Sequence, residues 1–206
     1  MEKILFLFFL ISFISFLKST DPSKIIIIYY SRTGNTEKFA NYINKISDEI
    51  SKFKIEPVTP YTDDYNTMLK IAQEEQSSNA RPEIKNALNN VNDYEIILLG
   101  YPIWYSHLPN IVINQLEKLN LNGKTIYPFN THGGSGTGSS INDIKNYAIN
   151  ATVKDGFPIK KDDINDESSS MKKIKNWMNE NFDINNNSIF QKINMYLLYF
   201  ICILLI

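Results

Sequence analysis

The sequence of 206 residues has very little cysteine, no run of basic residues and a net charge close to zero. The single cysteine, Cys202, excludes an intramolecular disulfide, a CxxC redox motif and a cysteine-rich zinc site, so no metal site is predicted. Redox chemistry would therefore have to come from a cofactor. The net charge of −1 and the scattered lysines and arginines argue against nucleic acid as a partner. Hydrophobic residues make up 43% and charged residues 21%, which excludes wholesale disorder and is typical of one globular domain.

Three common catalytic signatures are missing as well. The dinucleotide fingerprint GxGxxG is absent, and the sequence that ends in Gly123-Lys124-Thr125 is not a Walker phosphate loop, because Lys118 replaces its first glycine. Residues 133–137 resemble the serine-hydrolase elbow GxSxG but end in threonine. No histidine follows His132 to complete a triad, so a serine hydrolase is a weak alternative.

The two ends of the sequence are more apolar than the middle. Residues 4–17 are apolar apart from two serines, too few for a bilayer span of about 20 residues but suited to a signal-peptide core of about 7–15. Residues 1–20 are therefore predicted to be a signal peptide or an N-terminal anchor. Residues 184–206 are predicted to be a polar linker and a hydrophobic C-terminal tail, either a GPI-attachment signal or a membrane tail. These ends predict a protein of the secretory pathway, extracellular or membrane-associated, that contacts the membrane through them.

Residues 21–183 alternate between strand and helix patterns. Runs of β-branched, aliphatic and aromatic residues at 25–30, 96–99 and 125–129 predict buried parallel strands, with Pro128 near the end of the third. Weaker runs at 54–58 and 151–153 predict edge strands. Apolar residues at helical spacing predict helices within 39–50, 82–91, 109–119, 141–148 and 168–178. The segment 63–79 is longer than a simple connection needs and is predicted to carry an additional helix. This alternation predicts an α/β fold, a three-layer α/β/α sandwich with a five-stranded parallel sheet of order 2-1-3-4-5.

Ligands bind such sheets outside the carboxyl ends of the strands, so the loops after strands 1, 3 and 4 matter most. The loop Ser31-Arg32-Thr33-Gly34-Asn35-Thr36 follows strand 1 and leads into a helix N-terminus, where backbone N–H groups and the helix dipole favour an anion. One helix cap would explain one polar residue but not four hydroxyl or amide side chains in six positions. The loop therefore predicts a phosphate site without lysine.

The loops after strands 3 and 4 complete the predicted site. Residues 100–109 contain three aromatic residues and two prolines, which suggests a rigid surface that stacks on a flat ligand, although core packing is the alternative. Residues 130–139 contain four glycines, which let the backbone approach a ligand closely. A flexible linker is the alternative here, but it would be unusual at the ligand edge of such a sheet.

These three loops together resemble the flavodoxin superfamily, from about residue 25 to residue 177. The loop at 31–36 is similar to its FMN-phosphate signature, and residues 100–104 and 123–136 resemble segments of a flavodoxin-like, FMN-binding family of bacteria and lower eukaryotes. The resemblance implies a flavodoxin-like domain at 21–183 and FMN as the cofactor. It implies that Ser31, Thr33, Asn35 and Thr36 bind the phosphate with the N–H groups of Arg32 and Gly34. It also implies that Trp104 lies against the isoalloxazine ring and that residues 131–136 surround the pyrimidine edge.

The full set of cofactor-binding residues that this resemblance implies comes from all three loops. They are Ser31, Arg32, Thr33, Gly34, Asn35, Thr36, Pro102, Ile103, Trp104, Tyr105, Thr131, His132, Gly133, Gly134, Ser135 and Gly136. His107 and His132 are each either a proton or hydrogen-bond donor near the flavin or part of a local loop hydrogen bond.

The resemblance implies a redox protein that transfers electrons through flavin. One reading is an NAD(P)H-dependent reductase of a quinone or nitro compound, and the other is an electron carrier that serves a redox protein. The sequence favours the reductase, because the segment 63–79 has the length to cover the flavin and form a substrate pocket. The alternative from another class is a non-catalytic, membrane-tethered, flavodoxin-like binding module.

Overall fold

The central sheet is parallel and is formed by strands that alternate with helices. In this computed structural model, which describes residues 21–182, the strands are β1 (Ile25–Tyr29), β2 (Ser51–Lys54), β3 (Ile96–Pro102), β4 (Thr125–His132), β5 (Thr152–Val153) and β6 (Phe157–Lys160). The strand order is β2-β1-β3-β4-β5, and β6 also pairs with β4. The predicted fold class and strand order are therefore confirmed, with one strand more than the sequence pattern indicated.

Five α-helices flank the sheet in the part of the chain that the structure describes. They are α1 (Asn35–Ile46), α2 (Tyr65–Ser78), α3 (Asn110–Glu117), α4 (Ser140–Tyr147) and α5 (Glu167–Asn181), and three short 3-10 helices lie at Pro22–Lys24, Val91–Asp93 and Asp163–Asn165. The additional helix predicted within 63–79 is confirmed as α2. Among the described residues, no helix is both long and apolar enough to cross a bilayer. The predicted N-terminal signal or anchor and C-terminal tail lie outside the described residues.

Apolar side chains cover both faces of the sheet within the compact unit Pro22–Trp177. Every residue of β1 is buried, as its unbroken aliphatic run predicts for a strand at the centre of a parallel sheet. Ile26 and Ile28 join a core cluster with Ile111 and Val112 of α3. On α1, Phe39 packs against Phe129 of β4 with 4.5 Å between the ring centroids. This core holds the carboxyl ends of β1, β3 and β4 side by side.

The second strand begins three residues and ends four residues earlier than predicted, because the chain after Ile55 finds partners outside the sheet. The sequence pattern indicated 54–58, whereas β2 ends at Lys54. Pro57 cannot donate a backbone hydrogen bond, and it pairs instead with Ile84 in an antiparallel bridge. The N–H of Glu56 donates to the Asn86 side chain at 3.1 Å, which further draws this segment away from the sheet.

The helix predicted within 82–91 is wrong for the same reason. The carbonyl of Glu83 accepts from Val58 N–H at 2.9 Å, and the N–H of Lys85 donates to the Glu56 carbonyl at 2.7 Å. Backbone groups that pair with the 56–58 segment are not available for helical hydrogen bonds. The helical connection between β2 and β3 is α2, and only the last residue of the predicted range, Val91, is helical, at the start of the 3-10 helix Val91–Asp93.

Pro128 lies in the middle of β4 rather than near its end, and the position beside β4 explains why this is tolerated. β5 pairs with Thr125 and Ile126, and β6 pairs with β4 from Phe129 onward. The carbonyls of Ile126 and His132 accept from Lys154 and Lys161 respectively, so even-numbered residues of β4 face this side. The missing N–H of Pro128 therefore falls at the break between β5 and β6, where no ladder hydrogen bond is lost.

Candidate functional site

A cavity of about 420 Å³ lies at the carboxyl ends of β1, β3 and β4, where the sequence placed the site. The three predicted loops meet there. Twelve of the sixteen predicted residues line it: Arg32, Thr33, Asn35, Pro102, Ile103, Trp104, Tyr105, Thr131, His132, Gly133, Gly134 and Ser135. The other four, Ser31, Gly34, Thr36 and Gly136, lie in the same loops without lining the cavity.

The loop after β1 presents an uncapped helix N-terminus. Gly34 precedes α1 with a φ of 86°, a conformation that glycine adopts at little cost, and no side chain caps the helix. The first N–H groups of α1 thus retain their capacity to bind an anion. The Ser31 hydroxyl oxygen is buried and has no hydrogen-bond partner within residues 21–182, so a donor set without its acceptor lies at this end of the cavity. This arrangement fits a phosphate group.

Two residues of this loop have structural partners. Thr36 is 1% exposed, and its hydroxyl lies 2.9 Å from the Thr131 hydroxyl, which ties the first loop to the third. Arg32 donates from Nη1 to the Thr62 carbonyl at 2.8 Å, which fastens the phosphate loop to the segment before α2. Asp64 then caps α2 by accepting from Thr67 N–H at 2.7 Å.

The loop after β3 forms a tight aromatic turn. Trp104 and His107 exchange two backbone hydrogen bonds, and Tyr105 and Ser106 between them have φ values of 49° and 64°. Two successive positive φ values are typical of a type I′ turn. Tyr30 and Tyr61 pack edge-on against the Trp104 indole at centroid distances of 5.5 and 5.0 Å, which fixes the ring at the cavity wall.

The loop after β4 is held by hydrogen bonds that leave its glycines open. Asn130 donates to the Gly136 carbonyl at 3.0 Å, and Gly136 N–H donates to His132 Nδ1 at 3.1 Å. A Cβ added at Gly133 or Gly134 would meet nothing within 4 Å. Because both glycines line the cavity, their backbones can approach a flat ligand without obstruction.

The two histidines are in different environments. Since His132 Nδ1 accepts from Gly136 N–H, the neutral ring carries its proton on Nε2. Burial lowers the pKa of the His132 imidazole, and Lys160 adds to this effect while Asp163 opposes it, so the ring is neutral at neutral pH. His107 does not line the main cavity; its Nδ1 lies 3.0 Å from Asp143 Oδ2 beside a separate cavity. Of the two histidines, only His132 is placed to contact a ligand of the main cavity.

The segment 63–79, which the sequence suggested as a cover over the flavin, forms a fourth wall of the cavity, but its individual lining residues were not predicted. Tyr65, Met68, Leu69 and Ala72 of α2 line it, with Lys161 after β6. Met68 and Ala72 are each only 3% exposed, whereas Tyr65 is 64% exposed. The spacing of these apolar residues was visible in the sequence, but such a stripe normally indicates packing against a core and carries no sign of a ligand.

The open parallel sheet and the phosphate, aromatic and glycine-rich loops around one cavity define a flavin-binding α/β protein. The flavodoxin family model matches residues 24–181. The chain therefore belongs to the flavodoxin family. This membership confirms the predictions of the family, of FMN as the cofactor and of an FMN-binding redox function. The individual cofactor contacts stay predictions.

Comparison with solved structures gives the same fold. A protein named as a flavoprotein from Bacteroides eggerthii is 30% identical, with a TM-score of 0.65 over 76% of this chain and 96% of that one. A similar protein from Bacteroides uniformis is 27% identical, with a TM-score of 0.64 over 76% and 97%. A flavoprotein from Lactobacillus acidophilus, solved in complex with FMN, is 23% identical, with a TM-score of 0.59 over 70% and 98%. No curated protein matches the chain.

Proposed function

We propose that the protein is an FMN-dependent oxidoreductase that uses NAD(P)H to reduce a small organic acceptor. The observation that carries the proposal is the apolar wall that α2 adds to the cavity through Met68 and Ala72, both buried. An electron carrier needs an exposed flavin edge that a protein partner can approach. A walled cavity with an apolar side is instead typical of a small-molecule site.

The chain's own residues would hold FMN at both ends. The N–H groups at the start of α1 and the side chains of Ser31, Thr33 and Asn35 would bind the phosphate, because they surround an uncapped helix N-terminus. Trp104 would lie along the ring, and the backbone of Gly133 and Gly134 would approach its polar edge. When bound, FMN supplies the capacity to accept two electrons from a donor and pass them to an acceptor.

The net reaction requires one proton in addition to the hydride. NAD(P)H, a proton and a quinone give NAD(P)⁺ and the dihydroxy product, so two electrons and two hydrogens reach the acceptor. His132 contributes a neutral ring with the N–H on Nε2, suited to donate a hydrogen bond to an oxygen that gains negative charge. Because burial lowers its pKa, His132 would act as a hydrogen-bond donor more readily than as a reservoir of the proton at neutral pH.

The electron carrier remains the second candidate, favoured by the exposure of Tyr65 and Tyr105 beside the cavity, at 64% and 48%. The two candidates differ in what supplies electrons to the protein. A reductase consumes NAD(P)H steadily with a quinone alone, whereas a carrier needs a separate reductase protein to be reduced.

The experiment is the absorption spectrum and activity of the purified full chain after incubation with FMN. Flavin bands that stay with the protein through desalting, followed by steady NAD(P)H oxidation with menadione, would support the reductase. Retained flavin that is reduced by dithionite but not by NADH or NADPH would contradict the reductase and favour the carrier. A chain that retains no flavin and ignores added FMN would favour the non-catalytic binding module.

We also propose that the protein enters the secretory pathway and associates with membranes through its hydrophobic ends. The apolar stretches at residues 4–17 and 195–206 support this location. Fractionation of cells that express the full chain with an internal tag tests it: recovery in the soluble cytosolic fraction would contradict the proposal.

A further inference from the structure

The aromatic turn holds Tyr105 in a conformation that a tyrosine rarely adopts. Its φ of 49° and that of Ser106, 64°, both lie in the left-handed region, where a side chain crowds the backbone. Such turns ordinarily carry Asn-Gly or Asp-Gly, which adopt positive φ at lower cost. A bulky ring at this position is therefore maintained at the expense of stability, and such strain is found mostly at functional sites.

The surroundings force the turn into this shape. Ser139 N–H donates to the Ser106 carbonyl at 2.7 Å, and Gln76 of α2 donates to the Trp104 carbonyl at 2.9 Å. At Gly138 a Cβ would stand 2.3 Å from the Ser106 carbonyl oxygen, so only glycine permits this close approach. Several independent contacts thus hold the strained turn from both of its sides.

A second tyrosine, Tyr65 of α2, resembles Tyr105 in its exposure and in lining the same cavity. Tyr105 and Tyr65 both line the main cavity and both remain exposed, at 48% and 64%. Between these exposed rings and the buried Met68 and Ala72, the cavity offers aromatic and apolar surface, and among residues 21–182 no carboxylate lines it. Flat, uncharged rings bind to surfaces of this kind through offset or edge-to-face stacking.

We propose that Tyr105 and Tyr65 bind the ring of a planar aromatic electron acceptor, a quinone in chemical class, and so determine acceptor specificity. In this arrangement Tyr105 binds the acceptor and not the cofactor. The inference rests on the proposed function and deepens it: the strained turn presents Tyr105, and the apolar side of α2 completes the acceptor site.

The test uses single-turnover reoxidation of the FMN-loaded full chain, reduced beforehand with dithionite, by menadione or by ferricyanide. Menadione is a planar ring that takes up two electrons and two protons, whereas ferricyanide is a non-planar anion that takes up one electron per ion. Because NAD(P)H is absent, failure of the proposed NAD(P)H-dependent reaction does not affect this measurement. The variants are Tyr105→Gly, Tyr105→Phe and Tyr65→Ala.

The matched control is Ile149→Ala, because Ile149 is an exposed apolar residue, at 63%, that does not line the main cavity. We expect Tyr105→Gly and Tyr65→Ala each to raise the half-saturating menadione concentration about two- to tenfold, the range for one aromatic pair. Tyr105→Phe and Ile149→Ala should stay at the wild-type value. The unfolding temperature of Tyr105→Gly should be no lower than that of the unchanged protein, because glycine adopts this φ freely.

Three results would overturn the inference. An equal change with menadione and ferricyanide would show a general effect on electron transfer. Loss of FMN from Tyr105→Gly would make Tyr105 a cofactor residue, and a lower unfolding temperature would make its role structural. Menadione reoxidation without saturation in the unchanged protein would show that no acceptor site exists.

Discussion

Thr33 and Asn35 carry the most direct prediction at the scale of single residues. Both line the cavity in a loop whose helix has no side-chain cap, and the Asn35 amide lies 3.4 Å from the Thr33 hydroxyl. Each charge-assisted hydrogen bond contributes about 1.5–3 kcal/mol. We therefore expect Thr33→Ala and Asn35→Ala each to lower FMN affinity about tenfold or more.

A fluorescence titration of the apo-protein with FMN measures this change. Asn41→Ala is the matched control, because Asn41 is exposed on α1 and does not line the cavity. Its side-chain oxygen accepts a hydrogen bond from Lys52. Unchanged FMN affinity in both loop variants would show that these two side chains do not bind the phosphate.

His132 carries a second prediction, since its two ring nitrogens have different partners. In His132→Asn, the side-chain oxygen can still accept from Gly136 N–H, as Nδ1 does at 3.1 Å, but the donor at Nε2 is lost. We expect this variant to retain FMN and to reduce acceptors about tenfold or more slowly, within the range for loss of one such donor.

Steady-state rates with saturating NAD(P)H and menadione measure the effect. His132→Gln provides the comparison, because its longer amide can place a donor nearer the Nε2 position and should recover part of the rate. Equal rates in the unchanged protein, His132→Asn and His132→Gln would show that His132 only stabilises the loop.

At this scale the sequence predicted the three loops residue by residue, whereas for α2 it indicated only that the segment 63–79 could cover the site and not which residues line it. Four hydroxyl or amide side chains in six positions after a buried strand are not explained by one helix cap, so the loop 31–36 indicated a ligand directly. Met68 and Ala72 have an ordinary explanation in packing, and only their position beside Trp104 gives them another role. Thr36 shows the opposite case, since a polar residue of the motif is buried against Thr131.

At the scale of elements, Gly100 on β3 determines how closely the central strands pack against their neighbours. An added Cβ would lie 2.3 Å from Phe129 Cζ and 2.9 Å from Tyr29 Cβ, so both side chains would have to move. Overpacking of a core typically costs about 1–3 kcal/mol. We expect Gly100→Ala to lower the free energy of unfolding by about 1–3 kcal/mol.

Urea denaturation of the apo-protein measures the loss. Gly133→Ala is the matched control, because a Cβ there meets nothing within 4 Å and its φ is not positive. That control should keep the stability and lose FMN affinity, since the new methyl group projects from a cavity-lining residue. Equal stability of Gly100→Ala and the unchanged protein would contradict the packing argument.

The elements that the sequence predicted incorrectly are those whose backbone partners are distant in the chain. Aliphatic runs such as Ile25–Tyr29 identify buried strands by themselves, and β1, β3 and β4 were found. The pairing of Pro57 with Ile84 cannot be read from local periodicity, and it replaced both a predicted helix and part of a predicted strand. β6 was missed because Phe157–Lys160 has only one buried residue, Ile159, and contains a proline.

At the scale of the whole molecule, acid should destabilise the fold. Arg81 lowers the pKa of Glu117 by hydrogen bonding to its carboxylate, and the hydrogen bond from Thr67 lowers the pKa of Asp64. Folded-state pKa values below the unfolded ones mean that the unfolded chain binds more protons in acid. The stability that these groups contribute is therefore present above their ordinary pKa of about 4 and is lost as the pH falls through their folded-state values.

Thermal unfolding between pH 6 and pH 3 measures this dependence, and we expect the unfolding temperature to fall with pH. Glu117→Gln should flatten the dependence, because that carboxyl group no longer titrates. Burial raises the pKa of Glu75, whose contribution has the opposite sign and is lost as the pH rises through its folded-state value. An unfolding temperature that stays constant or rises toward pH 3 would contradict the prediction.

The proposed secretory location has its own whole-molecule test. Asn150 and Thr152 belong to the acceptor sequence Asn-Ala-Thr; Asn150 lies on the turn before β5, Thr152 is the first residue of β5, and both are exposed. We expect the full chain to carry a glycan at Asn150 when it is expressed in eukaryotic cells. A mass decrease after glycosidase treatment, absent in Asn150→Gln, measures it, and a mass that does not change would argue against the proposed location.

The break opposite Pro128 has a consequence for self-association. A long unpaired strand edge is a template on which a second chain can add its own strand. On one side this sheet ends in the two residues of β5 and the four of β6, and β6 contains Pro158, which has no N–H to offer. On the other side, β2 has four residues, two of them lysines. The aliphatic strands that would aggregate most readily lie at the centre, and the geometry that accommodates a proline in β4 also keeps the sheet from growing into a fibre.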